Sequence, residues 1–160
     1  MRSNDQKALT YTTSPLEKDL EITGHPVIHL WLSTEAPDLD VFAYLEEVDE
    51  QGKSFYLTEG CLRVSHHKQG QAPFNNLGLP YPSHYQKDLA PIPAGKPVDL
   101  TFSLLPVSYR FQKGNRIRLS IVCADADNFD SPVIHPAPGL QLLRGGNHPS
   151  YVQLPVAQAR

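Results

Sequence analysis

Apolar and polar positions alternate along most of this chain, and the clearest stretch runs from Lys96 to Asp130. Val98, Leu100, Phe102 and Leu104 alternate with Asp99, Thr101 and Ser103. Ile117, Leu119, Ile121 and Cys123 alternate with Arg116, Arg118 and Ser120. A period of two is that of a half-buried strand, and no helical period fits either run. The two runs predict a pair of strands joined by a turn-rich crossover, in which Pro106 and the Lys113-Gly114-Asn115 turn interrupt the pairing.

The rest of the chain follows the same grammar. Leu9 to Thr13 and Asp19 to Thr23 are short β-rich runs, separated by Ser14-Pro15 and closed by Gly24. After Pro26, Ile28, Leu30 and Leu32 form an apolar face. Val27, His29 and Trp31 form a second face that is half apolar, which predicts that something covers it. Leu39, Val41, Ala43 and Leu45 then alternate with Asp40, Phe42, Tyr44 and Glu46, again with aromatic residues on the outer side. Asp49 to Lys53 predicts a hairpin turn in which Gly52 is free to take positive φ. The return strand is expected over Ser54 to His66, where Gly60 marks either a bulge or a close packing contact. Residues 68–96 break the pattern with five prolines. A connection of that length is either functional or packed on a neighbour. The chain is irregular again after Asp130, and Tyr151 to Leu154 is a last short strand. The expected fold is all-β: a two-sheet jelly-roll sandwich of about eight strands with long irregular connections. The expected organisation is a disordered lead at 1–8, one sandwich domain at 9–155 and a tail at 156–160.

Composition narrows the function classes. The chain has 160 residues, enough for one domain that buries roughly 70% of its unfolded surface. Its net charge of −3 gives no reason to expect nucleic acid or an anionic membrane as a partner. It has no run of about 18 apolar residues. The first residues, MRSNDQKA, are polar and lack an apolar signal core. The two cysteines, Cys61 and Cys123, both fall in expected strands; buried reduced thiols are favoured over a cross-strand disulfide. These features predict a cytoplasmic protein, unless a secretion signal lies upstream in a longer parent.

Candidate chemistry is thin. A serine nucleophile of the α/β-hydrolase type sits on a G-x-S-x-G turn, and no serine here has glycine two residues away on both sides. His66-His67 would point to opposite faces of a strand, so they make a poor chelating pair. His25 and His29 have no cysteine or carboxylate at a recognised ligand spacing. Asp125, Asp127 and Asp130 resemble the start of a calcium loop. That loop would need Gly sixth and Glu twelfth, and Asp130 and Pro136 stand there instead. The favoured reading is that these carboxylates cap a turn, with an irregular calcium site as the alternative. Asp38 and Asp40 share a face, as a solvated loop end would. Trp31, Phe42 and Tyr44 lie on the less buried strand faces. They could stack on sugar rings, although packing under the 68–96 segment is favoured. No catalytic residue, metal site or cofactor is expected.

Several stretches together resemble a known family. They are LTYTTSPLEKDLEITG, LWLSTEAPDLDVFAYLEEVDEQGK, LTEGCLRVSH, PIPAGKPVDLTFSLLPVSYRFQKGNRIRLSI, ADNFD and HPSYVQLPV, which span residues 9–155 in order. The chain resembles the C-terminal domain of the cocaine-esterase-like and X-prolyl dipeptidyl-peptidase hydrolases. The resemblance implies a jelly roll related to galactose-binding-like folds, appended to an α/β-hydrolase domain that carries the catalytic triad and whose active site the jelly roll helps to wall. None of that triad maps onto this sequence. The chain departs from the family pattern at PGLQLLRGG, which replaces a longer and more polar segment.

The resulting expectation is a non-catalytic C-terminal β-sandwich of a serine hydrolase acting on esters or X-Pro peptides, whose partner is the α/β-hydrolase domain of the same parent. The alternative is a stand-alone carbohydrate-binding module. The docking patch is expected around Phe74 to Leu89 and the 126–148 loop, with Phe74, Leu79, Tyr81, Tyr85, Leu89, Phe129 and His148 as its residues. Left free, such a face would favour a homodimer.

Overall fold

The computed structural model describes residues 8–130 and 139–157. Residues 1–7 of the expected lead, 131–138 of the expected docking loop and 158–160 of the expected tail lie outside the described residues. Ten strands are present among those described: β1 (Leu9–Thr12), β2 (Leu20–Gly24), β3 (Val27–Thr34), β4 (Asp40–Val48), β5 (Ser54–Arg63), β6 (Val98–Ser103), β7 (Val107–Phe111), β8 (Arg116–Val122), β9 (Leu140–Leu143) and β10 (Tyr151–Gln153). Single 3-10 turns at Val64–His66 and Gln86–Asp88 are the helical pieces.

The strands form a β-sandwich of two facing antiparallel sheets. One sheet has the order β1-β8-β4-β5. The other has the order β10-β3-β6, with β9 also paired to β3. A separate antiparallel ribbon joins β2 to β7. The alternating residues supply the core, as the period of two requires. Ile28, Leu30 and Leu32 lie opposite Phe102, Leu100 and Val98 in one sheet. Ala43, Leu45 and Glu47 lie opposite Ile121, Leu119 and Ile117 in the other. All of these are buried.

Three sequence expectations are corrected here. The two runs in 96–130 are not partners: β6 pairs β3 and β8 pairs β4, so they face each other across the core. The supposed crossover between them contains β7, which folds onto β2. The return strand stops at Arg63 and gives way to a 3-10 turn before His66.

Gly60 marks a close contact rather than the bulge, which falls where Leu45 pairs with Thr58 and Glu46 with Tyr56, leaving Leu57 of β5 as the extra residue. A Cβ on Gly60 would lie 2.7 Å from the Ser103 carbonyl oxygen and 3.1 Å from Leu104 Cα. The backbone of β5 here touches the end of β6, so the two sheets close on each other along this edge. Thr58 Oγ1 donates to the Leu105 carbonyl at 2.8 Å, and the Leu105 N–H donates to the Glu59 carbonyl at 2.8 Å, which reinforces the seam.

The ribbon closes one end. Glu47 occupies the last inward position of β4, where an apolar residue would continue the core. Its carboxylate accepts the Tyr109 hydroxyl at 2.6 Å and the Gln112 N–H at 3.1 Å. Burial, then the hydrogen bond to Glu47, pushes the Tyr109 hydroxyl pKa up to about 12. The chain end reinforces this side: Val156 bridges Ile22, and the Ala157 N–H donates to the Glu21 carbonyl.

Candidate functional site

The aromatic side chains on the outer strand faces each meet a partner from another part of the chain. Phe42 is only 3% exposed and packs against Phe129 at 5.0 Å. Tyr44 donates its hydroxyl to Asp125 at 2.6 Å. Trp31 meets the edge of His148 at 4.7 Å. The ring and hydroxyl partners of these three side chains thus lie in the 123–130 loop and the 144–150 segment. The hydrogen bond from Tyr44, then that from Asn128, holds the Asp125 carboxyl below the usual carboxylate range. The Asp125 main-chain carbonyl accepts the Asn128 and Phe129 N–H groups, which closes the turn, while its carboxylate accepts from Asn128 Nδ2. Asp38 is likewise not a solvated loop end. It accepts the Leu39 and Ser65 N–H groups and the Ser65 hydroxyl, and so fixes the 3-10 turn after β5.

The residues expected at a docking surface divide by position. Phe74 is 60% exposed and meets Tyr81 edge-on at 5.7 Å. Tyr85 is 59% exposed, with Lys87 Nζ over its ring, and Leu89 is exposed beside it. Leu79 and Tyr81 are half-buried. Their backbone is fixed by Asn76, Gln69 and Gly70: Asn76 Nδ2 donates to the Leu79 carbonyl, and the Tyr81 N–H donates to Gln69 Oε1. Gln69 Nε2 in turn donates to the Thr101 carbonyl at 2.8 Å, which ties the segment to β6. A recess of about 320 Å³ joins the two loops, because Phe129 and Asp130 line it together with His66 and His84. His148 is placed apart from this group, on Trp31.

Sequence reasoning left Leu77 unnamed, although it is the most exposed apolar side chain described, at 76%. It stands at φ +59, a backbone conformation costly for a residue of its size. An Asx contact from Asn75 to its N–H helps to hold it there. The Asn-Asn-Leu-Gly turn was the available signal. His84 also has positive φ, and its ring lies 5.3 Å from that of His66.

Among the described residues, the titratable groups do not assemble a reaction centre. Thr101 Oγ1 lies 3.3 Å from His29 Nδ1 and 3.5 Å from Asp99 Oδ1. The carboxylate thus contacts the hydroxyl rather than the imidazole, so it does not orient the ring as a triad acid would. Burial lowers the His29 pKa despite Asp99. Both cysteines are free thiols. Cys61 is exposed on the outer face of β5, contrary to the buried position expected of it. Cys123 is half-buried, and burial raises its pKa to about 11. Burial, then the charge of Asp40, also raises Cys61, so neither is poised as a thiolate.

Fold and surface together define a β-sandwich domain. The chain belongs to the family described as the X-Pro dipeptidyl-peptidase C-terminal non-catalytic domain, whose sequence model matches residues 1–153. It is 42% identical, over 98% of its length, to one protein from Mycobacterium bovis and one from Mycobacterium tuberculosis, each provisionally named a serine esterase. The chain spans about a quarter of the length of these curated relatives, 25% in each case. Among solved structures, it superimposes on a CocE/NonD family hydrolase from Staphylococcus aureus with a TM-score of 0.74. That match has 21% identity and covers 96% of this chain and 31% of the other. An α-amino acid ester hydrolase gives a TM-score of 0.71 at 19% identity, covering 94% of this chain and 26% of the other. The structural matches establish a shared fold.

Proposed function

We propose that this domain docks on, stabilises and shapes the α/β-hydrolase domain of a longer serine hydrolase that cleaves esters or X-Pro amides. The carrying observation is where the exposed apolar side chains stand. Phe74, Leu77, Tyr85, Leu89 and Phe129 all project from two irregular segments that meet at one recess. The inward strand residues, by contrast, form the domain's own core, and the other large apolar side chains left exposed (Leu9, Phe55, Tyr56, Leu105, Tyr151 and Val156) lie outside those two segments. Apolar groups gathered on loops, and rimmed by polar ones, mark a surface meant for contact. The family membership and the short span relative to the named esterases support the same reading. The same face would pair two copies of the domain when the partner is missing. The two free thiols favour a reducing, cytoplasmic setting.

The test uses the longer gene product together with the 160-residue chain. Tyr85→Ser with Leu89→Ser in the longer protein is expected to lower its melting temperature and its turnover of an aryl ester. The same pair in the 160-residue chain should leave that chain's own stability within about 0.5 kcal/mol, as for surface positions. Equal destabilisation of both proteins would refute docking through this face. Ester turnover by the 160-residue chain, abolished by a serine-directed phosphonate, would overturn the non-catalytic role itself.

A further inference from the structure

The two long edges of the sandwich differ. Along β5 and β6 the sheets touch through Gly60. Along the opposite edge, between β1 and β8 on one side and β9 and β10 on the other, they stand apart and leave a cleft of about 280 Å³. Its wall is made by Leu30, Ile117, Leu119, Leu142 and Val152, so the cleft opens onto the core itself. The serine and threonine hydroxyls at its rim are engaged. Thr12 Oγ1 accepts from Arg118, Thr13 Oγ1 accepts the Ile117 N–H, and Ser150 Oγ bridges β3 and β9.

One charged group stands at the mouth. The Arg144 guanidinium lies 5.0 Å from the centre of the Tyr11 ring, which holds it over the opening. It makes no ion pair with a carboxylate among the described residues; Arg63 and Arg110 hold Asp40 and Asp19. A planar guanidinium above an apolar slot fits one chemistry well: a carboxylate gripped by two parallel N–H groups, with a single apolar chain below it.

We infer that this cleft is a binding site for a medium-chain aliphatic carboxylate. An engineered core cavity of about 150 Å³ takes benzene, so about 280 Å³ suits roughly ten non-hydrogen atoms. Octanoate has that size. The site shares no lining residue with the recess of the proposed docking face, and it stands or falls independently of that reading.

The experiment titrates the 160-residue chain with butanoate, hexanoate, octanoate, octanol and octylamine, below the concentrations at which they self-associate. Methyl NMR signals of Leu30, Leu119, Leu142 and Val152 provide the readout. Octanoate should give saturable shifts of these methyls. Affinity should rise about three- to four-fold per methylene from butanoate to octanoate, the ratio expected for burying a CH₂. Octanol and octylamine should bind at least ten-fold more weakly. Arg144→Gln, a change at an exposed position, should bring octanoate down to the level of octanol while leaving octanol unaltered. Three results would each overturn the site: no saturable shift with octanoate, octanol binding as tightly as octanoate, or octanoate affinity unchanged in Arg144→Gln. Perturbation confined to methyls outside the cleft would do the same.

Discussion

Ser150 carries two hydrogen bonds that no neighbour can replace. β9 and β10 pair with the same edge of β3, at Trp31–Thr34 and Val27–His29, and the chain between them leaves the sheet. The Ser150 hydroxyl accepts the Trp31 N–H at 2.9 Å and donates to the Leu143 carbonyl at 2.7 Å, so it stands in for the missing backbone partner. Ser150→Ala is expected to cost about 1–2 kcal/mol, read as a lower urea midpoint with an unchanged slope. At His84, loss of solvent around the ring, then the charge of His66, lowers the pKa below its ordinary 6.5. The unfolded chain then takes up the proton more readily than the folded one. Its contribution to stability is fully present above about pH 6.5 and is lost as the pH falls below that value. Burial shifts His29 the same way. The urea midpoint should therefore fall between about pH 7 and pH 5, and His84→Asn, which tolerates the same positive φ, should make that decline shallower. Neither role could be read in the sequence. Ser150 acts through a gap in a ladder, and the His66–His84 pair depends on a turn that brings residues eighteen positions apart together.

At the scale of elements, alternation was a reliable guide wherever one strand face meets the core and the other meets side chains. β3, β4, β6 and β8 all satisfy that condition, and their inward residues were named correctly. β7 was missed although Val107, Tyr109 and Phe111 alternate, because Pro106 and the following turn made a five-residue run look like part of a crossover. β9 was missed because Leu140, Leu142 and Leu143 do not alternate and sit between two irregular stretches. The inward place of Glu47 was also hidden. A carboxylate there looks like the end of the apolar face, and only the ribbon's Tyr109 and Gln112 explain it. Glu47→Ala should leave both donors unpaired and cost about 2–3 kcal/mol, as for hydrogen bonds to a charged group. Amide exchange in Leu20–Gly24 and Val107–Phe111 should accelerate more than in β4 or β8. Uniform acceleration would mean that Glu47 supports the whole core rather than the ribbon.

Over the whole molecule, the sandwich was legible, and so was its likeness to one domain of a longer hydrolase. What no pattern of residues announced is how unevenly the two sheets are joined. Gly60→Ala would drive a Cβ into two backbone atoms that cannot rotate away, and a cost of about 1–3 kcal/mol in urea denaturation is expected for such overpacking. The contact at Gly60 has a further consequence. It serves as the spine of a book whose free margins are β1 and β10. Slow opening should start at those margins and spread toward the spine, so their amides should lose protection first, long before those of β4 and β5.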